Sequence, residues 1–124
     1  DLPARIARRL VGEEAYLGLS AATPDELRTA QEQGACDHVG IGVVHPTATK
    51  ADAPKSLGVN GVARMAALID LPAVAIGGIT ASDLPALRAG GLAGAAVVSA
   101  ICTAEDPRSV AADLHRAWDE GCRR

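Results

Sequence analysis

Apolar residues in this chain fall into short runs, each followed by a stretch in which they recur at helical spacing. Residues 15–21 (AYLGLSA), 39–44 (VGIGVV), 73–79 (AVAIGGI) and 95–100 (AAVVSA) are continuous runs of strand length. Asp1-Leu2-Pro3 reads as an N-cap with proline in the first turn, leading into a short helix with Ile6, Leu10 and Val11 on one side, closed near Gly12. Thr23-Pro24-Asp25-Glu26 is a capping box that opens a helix with Leu27 and Ala30 inward and Gly34 as its stop. After Asn60, residues Val62, Met65, Ala66 and Ile69 share one helical face. Ser82-Asp83 opens a further helix stopping at Gly90-Gly91, and a last one runs from Asp106-Pro107 through Trp118.

Four predicted strands therefore alternate with helices, which demands a mostly parallel sheet in an α/β fold. Such a sheet is either open and doubly wound or closed into a barrel. Gly18, Gly40, Gly42, Gly77, Gly78 and Gly94 lie in or beside the strands, where a doubly wound sheet more often places Val and Ile. Small residues there suit a crowded barrel axis and close approach of a ligand, so the reading leans to a (β/α)8 TIM-barrel type. Four units cannot close that barrel, because eight strands need about 250 residues and the chain has 124.

Composition narrows the function. The chain is 48% hydrophobic with a formal net charge of -3, and its aromatic residues are Tyr16 and Trp118. With neither a basic stripe nor an aromatic platform, nucleic acid is not an expected partner. Cys36, Cys102 and Cys122 are odd in number and widely spaced, which fits reduced thiols better than a disulfide framework or a zinc knuckle. No apolar stretch of about 20 residues or lipidation motif is present, so the expectation is a soluble, cytoplasmic protein with no membrane partner.

Candidate chemistry gathers at the carboxyl ends of the predicted strands, the working face of a βα barrel. The run 39–44 spills into His45-Pro46-Thr47-Ala48-Thr49-Lys50, two hydroxyls and a point charge of the kind that binds polyphosphate. Read alone, that string is also compatible with a solvated loop. Gly77 to Thr80 (GGIT) after the third strand, and Ser99 to Ile101 (SAI) after the fourth, just ahead of a short helical turn, have the form of a phosphate cup built from backbone N–H groups. Gly77 and Gly78 alone are equally compatible with a tight turn. Ser20 ends the first strand and faces the same mouth, with no nucleophile elbow around it. His45 is a candidate base or a space-filling residue; His38 starts a strand and His115 lies mid-helix. No cluster has metal-ligand spacing.

In order and spacing, "GLSAAT", "VGIGVVHPTATKADAP", "VAIGGIT" and "AVVSAI" resemble the C-terminal half of the thiamin-phosphate synthase family, from Asp1 to about Ala117. The resemblance implies a TIM-barrel enzyme of which this chain holds about the last four βα units. The activity implied joins hydroxymethylpyrimidine diphosphate to thiazole phosphate and releases pyrophosphate, with Mg2+ as cofactor. Ser20 and Lys50 then match catalytic positions that touch the pyrimidine diphosphate. Thr47, Ala48 and Thr49 match the thiazole-phosphate contact loop, and Gly78, Val98 and Ser99 match positions that hold the thiazole phosphate. The pyrimidine pocket and the magnesium-binding aspartates belong to the family's N-terminal half, so the missing half or a homo-oligomer partner would supply them, and no metal ligand is expected in this chain.

Two positions differ from many members: Ala22 where they carry His, and Val43 where they carry Pro. The absent His argues against the related thiazole tautomerases, which also lack P-T-x-T-K. Because the implied reaction proceeds by loss of pyrophosphate, it needs no strong protein nucleophile, and none is evident here. The alternatives are a non-catalytic half-barrel that binds phosphates or self-associates, and another phosphate-handling barrel such as an epimerase. The latter would need an acid/base pair that the strand ends do not offer.

Overall fold

The computed structural model of the chain describes residues 2–46 and 56–123. Four strands, β1 (Gly18–Ala21), β2 (His38–Gly42), β3 (Ala73–Ile76) and β4 (Gly94–Ala96), form one parallel sheet in the order β1-β2-β3-β4. A doubly wound sheet reverses its strand order at a switch point. Here every strand pairs with its successor, so the winding is the continuous one of a TIM barrel, and the chain forms an arc of it.

Helices α1 (Ala4–Val11), α2 (Pro24–Gln33), α3 (Gly58–Ala66), α4 (Leu84–Ala89), α5 (Ser99–Cys102) and α6 (Pro107–Glu120) intersperse the strands. A 3-10 turn, Ala81–Asp83, leads into α4, and another, Gly121–Arg123, follows α6. Strand register puts Leu19, Val39 and Ala73 on one sheet face, with Ala21, Ile41, Ala75 and Ala95. That face packs with Leu27, Val62, Met65, Leu84, Leu87 and Leu114 from four helices into a single core. Leu27, Val39, Ile41, Val62 and Leu87 are fully buried there, each stabilising the fold by about 1.5–3 kcal/mol relative to exposure.

Alternation sends Gly18, Ser20, Gly40, Gly42, Val74, Ile76, Gly94 and Ala96 to the opposite face. Apart from His38, Val74 and Ile76 it is built from small residues, as a barrel axis requires, and Ile76 on it is 45% exposed. Helix α1 is tied to the sheet by Arg8. Its guanidinium donates to the carbonyls of Ala35 (2.8 Å), Gly12 (3.0 Å) and Ala15 (2.7 Å) and pairs with Asp37 at 2.7 Å.

Several element boundaries differ from the sequence reading. The helix-opening cap is Pro3, without a side-chain bond, while Asp1 lies outside the described residues. β1 spans only the last four residues of the run 15–21, and β2 starts at His38 and stops before Val43. Helix α3 begins at Gly58 and includes Asn60; Ile69, placed on its face, lies beyond its end yet is buried. β3 stops at Ile76 because Gly77 and Gly78 turn to φ 102° and 65°, which extended strand does not tolerate. Thr80, not Ser82, is the N-cap of the following turn: its hydroxyl and the Asp83 carboxylate form a reciprocal capping box. β4 stops at Ala96, and Ser99 and Ala100, read as strand, open α5.

Candidate active site

The carboxyl ends of β1, β2 and β3 surround a concavity of about 390 Å³ lined by Ser20, Glu26, Gly40, Gly42, Val43, Ile76 and Gly77, with Ala21 and Ala22 at its edge. Ser20 projects from the small-residue face opposite Gly40, where the missing Cβ leaves open space. Its hydroxyl makes no hydrogen bond among the described residues. Glu26 has a structural task here: its carboxylate accepts from the Ala22 N–H at 3.1 Å while its own N–H donates to the Thr23 hydroxyl at 3.2 Å. The capping box legible in the sequence thus fixes the turn after β1.

Beyond β2 the chain stays against β3. Val44 N–H donates to the Ile76 carbonyl at 3.1 Å and His45 N–H to the Gly77 carbonyl at 3.0 Å, and the Gly42–Val43 peptide bond is cis. A Cβ on Gly77 would stand 2.6 Å from Val43 Cγ1, and one on Gly78 2.9 Å from the His45 carbonyl oxygen. The two glycines therefore seat the outgoing β2 segment. Gly78 and Val98 each lie two residues past the registered pair Ile76–Ala96, on neighbouring strand ends. Val98 is 70% exposed and caps α5, its carbonyl accepting from Ile101 and Cys102. Ser99 opens that helix, and neither its N–H nor that of Gly78 finds an acceptor among the described residues.

The His45 ring is oriented by a carboxylate. Its Nε2 meets Asp83 Oδ1 at 2.9 Å, which makes Nε2–H the donor, while Asp83 Oδ2 accepts from the Thr80 N–H at 3.0 Å. Burial pushes the Asp83 carboxyl up, but the Thr80 N–H and the His45 imidazole together outweigh it and hold the group below the usual carboxylate range. The sequence reading placed the cap at Ser82 and not at Thr80, and nothing in the sequence linked Asp83 to a histidine 38 positions earlier. His38 starts β2 and His115 sits within α6, 3.3 Å from Asp119.

The structure brings Ser20, Gly78, Val98 and Ser99 to one end of the sheet. Thr47, Ala48, Thr49 and Lys50 lie outside the described residues, as does the remainder of the segment 47–55. Among the described residues no group of three His, Cys, Asp or Glu side chains could hold a metal ion. None of the described helices is long and apolar enough to cross a membrane.

Fold and strand-end architecture define a TIM-barrel-type α/β protein whose polar residues and glycine turns gather at the working face. Comparison with known proteins gives the family: the thiamine monophosphate synthase family matches residues 1–101, and the chain belongs to it. Similar curated proteins include the thiamine-phosphate synthase of Salinispora tropica, 43% identical over 94% of this chain and 56% of its own length. That of Lactococcus lactis subsp. cremoris is 48% identical over 84% of this chain and 47% of its own. Among solved structures, the thiamine phosphate pyrophosphorylase of Pyrococcus furiosus superposes with a TM-score of 0.84 at 29% identity, covering 98% of this chain and 56% of that one. The chain spans about half the length of the curated relatives it matches.

Proposed function

We propose that residues 1–124 are the C-terminal half of a thiamin-phosphate synthase barrel, the half that holds the thiazole phosphate and grips the pyrophosphate that leaves the pyrimidine substrate. The observation that carries this reading is the gathering of Ser20, Gly78, Val98 and Ser99 at the carboxyl ends of β1, β3 and β4, in a chain that belongs to the family and has the family's fold. A phosphate between the ends of β3 and β4 would meet the N–H groups of Gly78 and Ser99, which no described residue occupies. Ser20 and Lys50 would contact the pyrimidine diphosphate, while Thr47, Ala48 and Thr49 contact the thiazole phosphate.

In this proposal the carbon–oxygen bond between the pyrimidine methylene and the diphosphate breaks, pyrophosphate departs with the electron pair, and the thiazole nitrogen bonds to the resulting cation. The chain's contribution is orientation and compensation of the departing negative charge, which Lys50 supplies as a point charge. As the family resemblance implies, the carboxylates for magnesium would come from the other half of the barrel, supplied by further chain or by a partner copy. We place the protein in the cytoplasm, with phosphorylated pyrimidine and thiazole as its small-molecule partners.

The test is pyrophosphate release from the two phosphorylated precursors and magnesium, run first on the intact protein and then on residues 1–124 alone. Release by the intact protein and silence from the isolated segment is the expected pair of results. Silence from both overturns the synthase reading and favours a half-barrel without coupling activity.

A further inference from the structure

The loop between β2 and α3 is closed at its base by described residues. Leu57 N–H donates to the Val43 carbonyl at 2.8 Å and Gly58 N–H to the Val44 carbonyl at 2.9 Å, so the chain that departs after His45 returns beside its own exit. On the other side, that exit rests on the Gly77-Gly78 turn through the His45 N–H. Its one side-chain tie among the described residues is His45 Nε2 to Asp83, whose side chain is 12% exposed and is held by the Thr80 cap.

We infer that His45 and Asp83 are a positioning pair: the strut between them fixes the direction in which the chain leaves β2, and turnover in the synthase reading depends on that direction. Three features carry this. The strut joins the exits of two neighbouring strands, β2 and β3, so it controls their relative placement. Asp83 is anchored at both oxygens, one on Thr80 and one on His45, and is therefore a fixed post and not a mobile partner. The backbone of His45 also sits directly against Gly78, so a shift of the imidazole is transmitted to the glycine turn. For turnover the consequence rests on the synthase reading above; for the loop base it does not.

The test uses the intact protein with His45→Ala, His45→Gln and Asp83→Asn. Glutamine keeps an N–H donor on a flexible side chain, and His45 is 42% exposed at its side chain, so neither His45 variant endangers the core. Amide hydrogen exchange is read at His45, Leu57 and Gly58, with Ile41 and Leu87 as core references. His45→Ala is expected to speed exchange at the loop base about tenfold, leave the core references unchanged, and lower kcat about tenfold with a smaller change in KM. His45→Gln should recover most of both effects, and Asp83→Asn should loosen the same three amides. Unchanged exchange at the loop base overturns the proposal, as does equal loosening of the core, or alanine and glutamine acting alike. Unchanged kcat in an active enzyme overturns the dependence of turnover on the strut. If the wild-type protein releases no pyrophosphate while the exchange pattern holds, the synthase reading fails and the strut stands.

Discussion

The carbonyl oxygen of His45 occupies the space that a side chain on Gly78 would need, 2.9 Å from an ideal Cβ. Gly78 also has φ 65°, so a substitution there faces two independent penalties. Gly34 is its natural control: φ is 62° but nothing stands within 4 Å of an added Cβ. Gly34→Ala is expected to cost about 1 kcal/mol, the backbone penalty alone. Gly78→Ala is expected to cost about 2–4 kcal/mol, because the β2 exit must also give way. Urea midpoints of the two variants decide it, and equal costs would mean that the contact with His45 yields freely.

Acid should weaken the tie between α1 and the sheet. The Leu17 N–H and the Arg8 guanidinium hold the Asp37 carboxyl below its ordinary value, and the Asp83 carboxyl is also lowered. A carboxyl depressed in the folded state contributes stability that is present above its unfolded pKa, about 3.9, and that is lost as the pH falls through the folded value. Stability is therefore expected to decline as the pH falls below about 4. Asp37→Asn should be less stable at neutral pH and show a shallower decline, read from denaturant midpoints at a series of pH values. A decline as steep as in the wild type would assign the acid sensitivity to other groups.

The three thiols should separate in reactivity. Cys36 is buried, and that burial pushes its thiol up, whereas Cys102 and Cys122 are exposed. Nucleophilic attack requires thiolate and access together. Under native conditions an alkylating reagent is expected to label Cys102 and Cys122 at least about tenfold faster than Cys36. Labelled peptides quantified by mass would show it, and fast labelling of Cys36 would mean that the helix–sheet core opens readily around it.

Lys50 should matter to turnover and not to folding. Its proposed task is to offset charge on the departing pyrophosphate, a contribution made chiefly in the transition state. Lys50→Ala is expected to lower kcat by about 10²-fold while moving the melting temperature by less than about 2 °C. Kinetics beside a thermal melt test this; undiminished turnover removes Lys50 from the site.

Much of the architecture was legible in the order of residues. Runs such as 39–44, followed by helical spacing at Val62, Met65 and Ala66, report which side chains water expels, and that pattern is local. The Thr23–Glu26 cap and the Gly34 stop were likewise readable, because a helix end is decided within a few residues. So were the strand-end positions of Ser20, Gly78 and Ser99, which follow from parallel winding once the strands are recognised. Strand lengths were not: β3 ends at Ile76 because the β2 exit lies against Gly77 and Gly78, a contact between segments more than 30 positions apart.

The same limit applies to the charged residues. Nothing in the sequence singles out Arg8, yet it binds three carbonyls and Asp37, acceptors assembled only by folding. His45 read as a candidate base, yet its Nε2 is committed to a carboxylate that a turn after the next strand presents. Sequence by itself determined what depends on neighbours along the chain: periodicity, caps, the small-residue strands and the family motifs. Tertiary structure decided what depends on neighbours in space, because a hydrogen-bond partner 38 residues away leaves no trace in local composition.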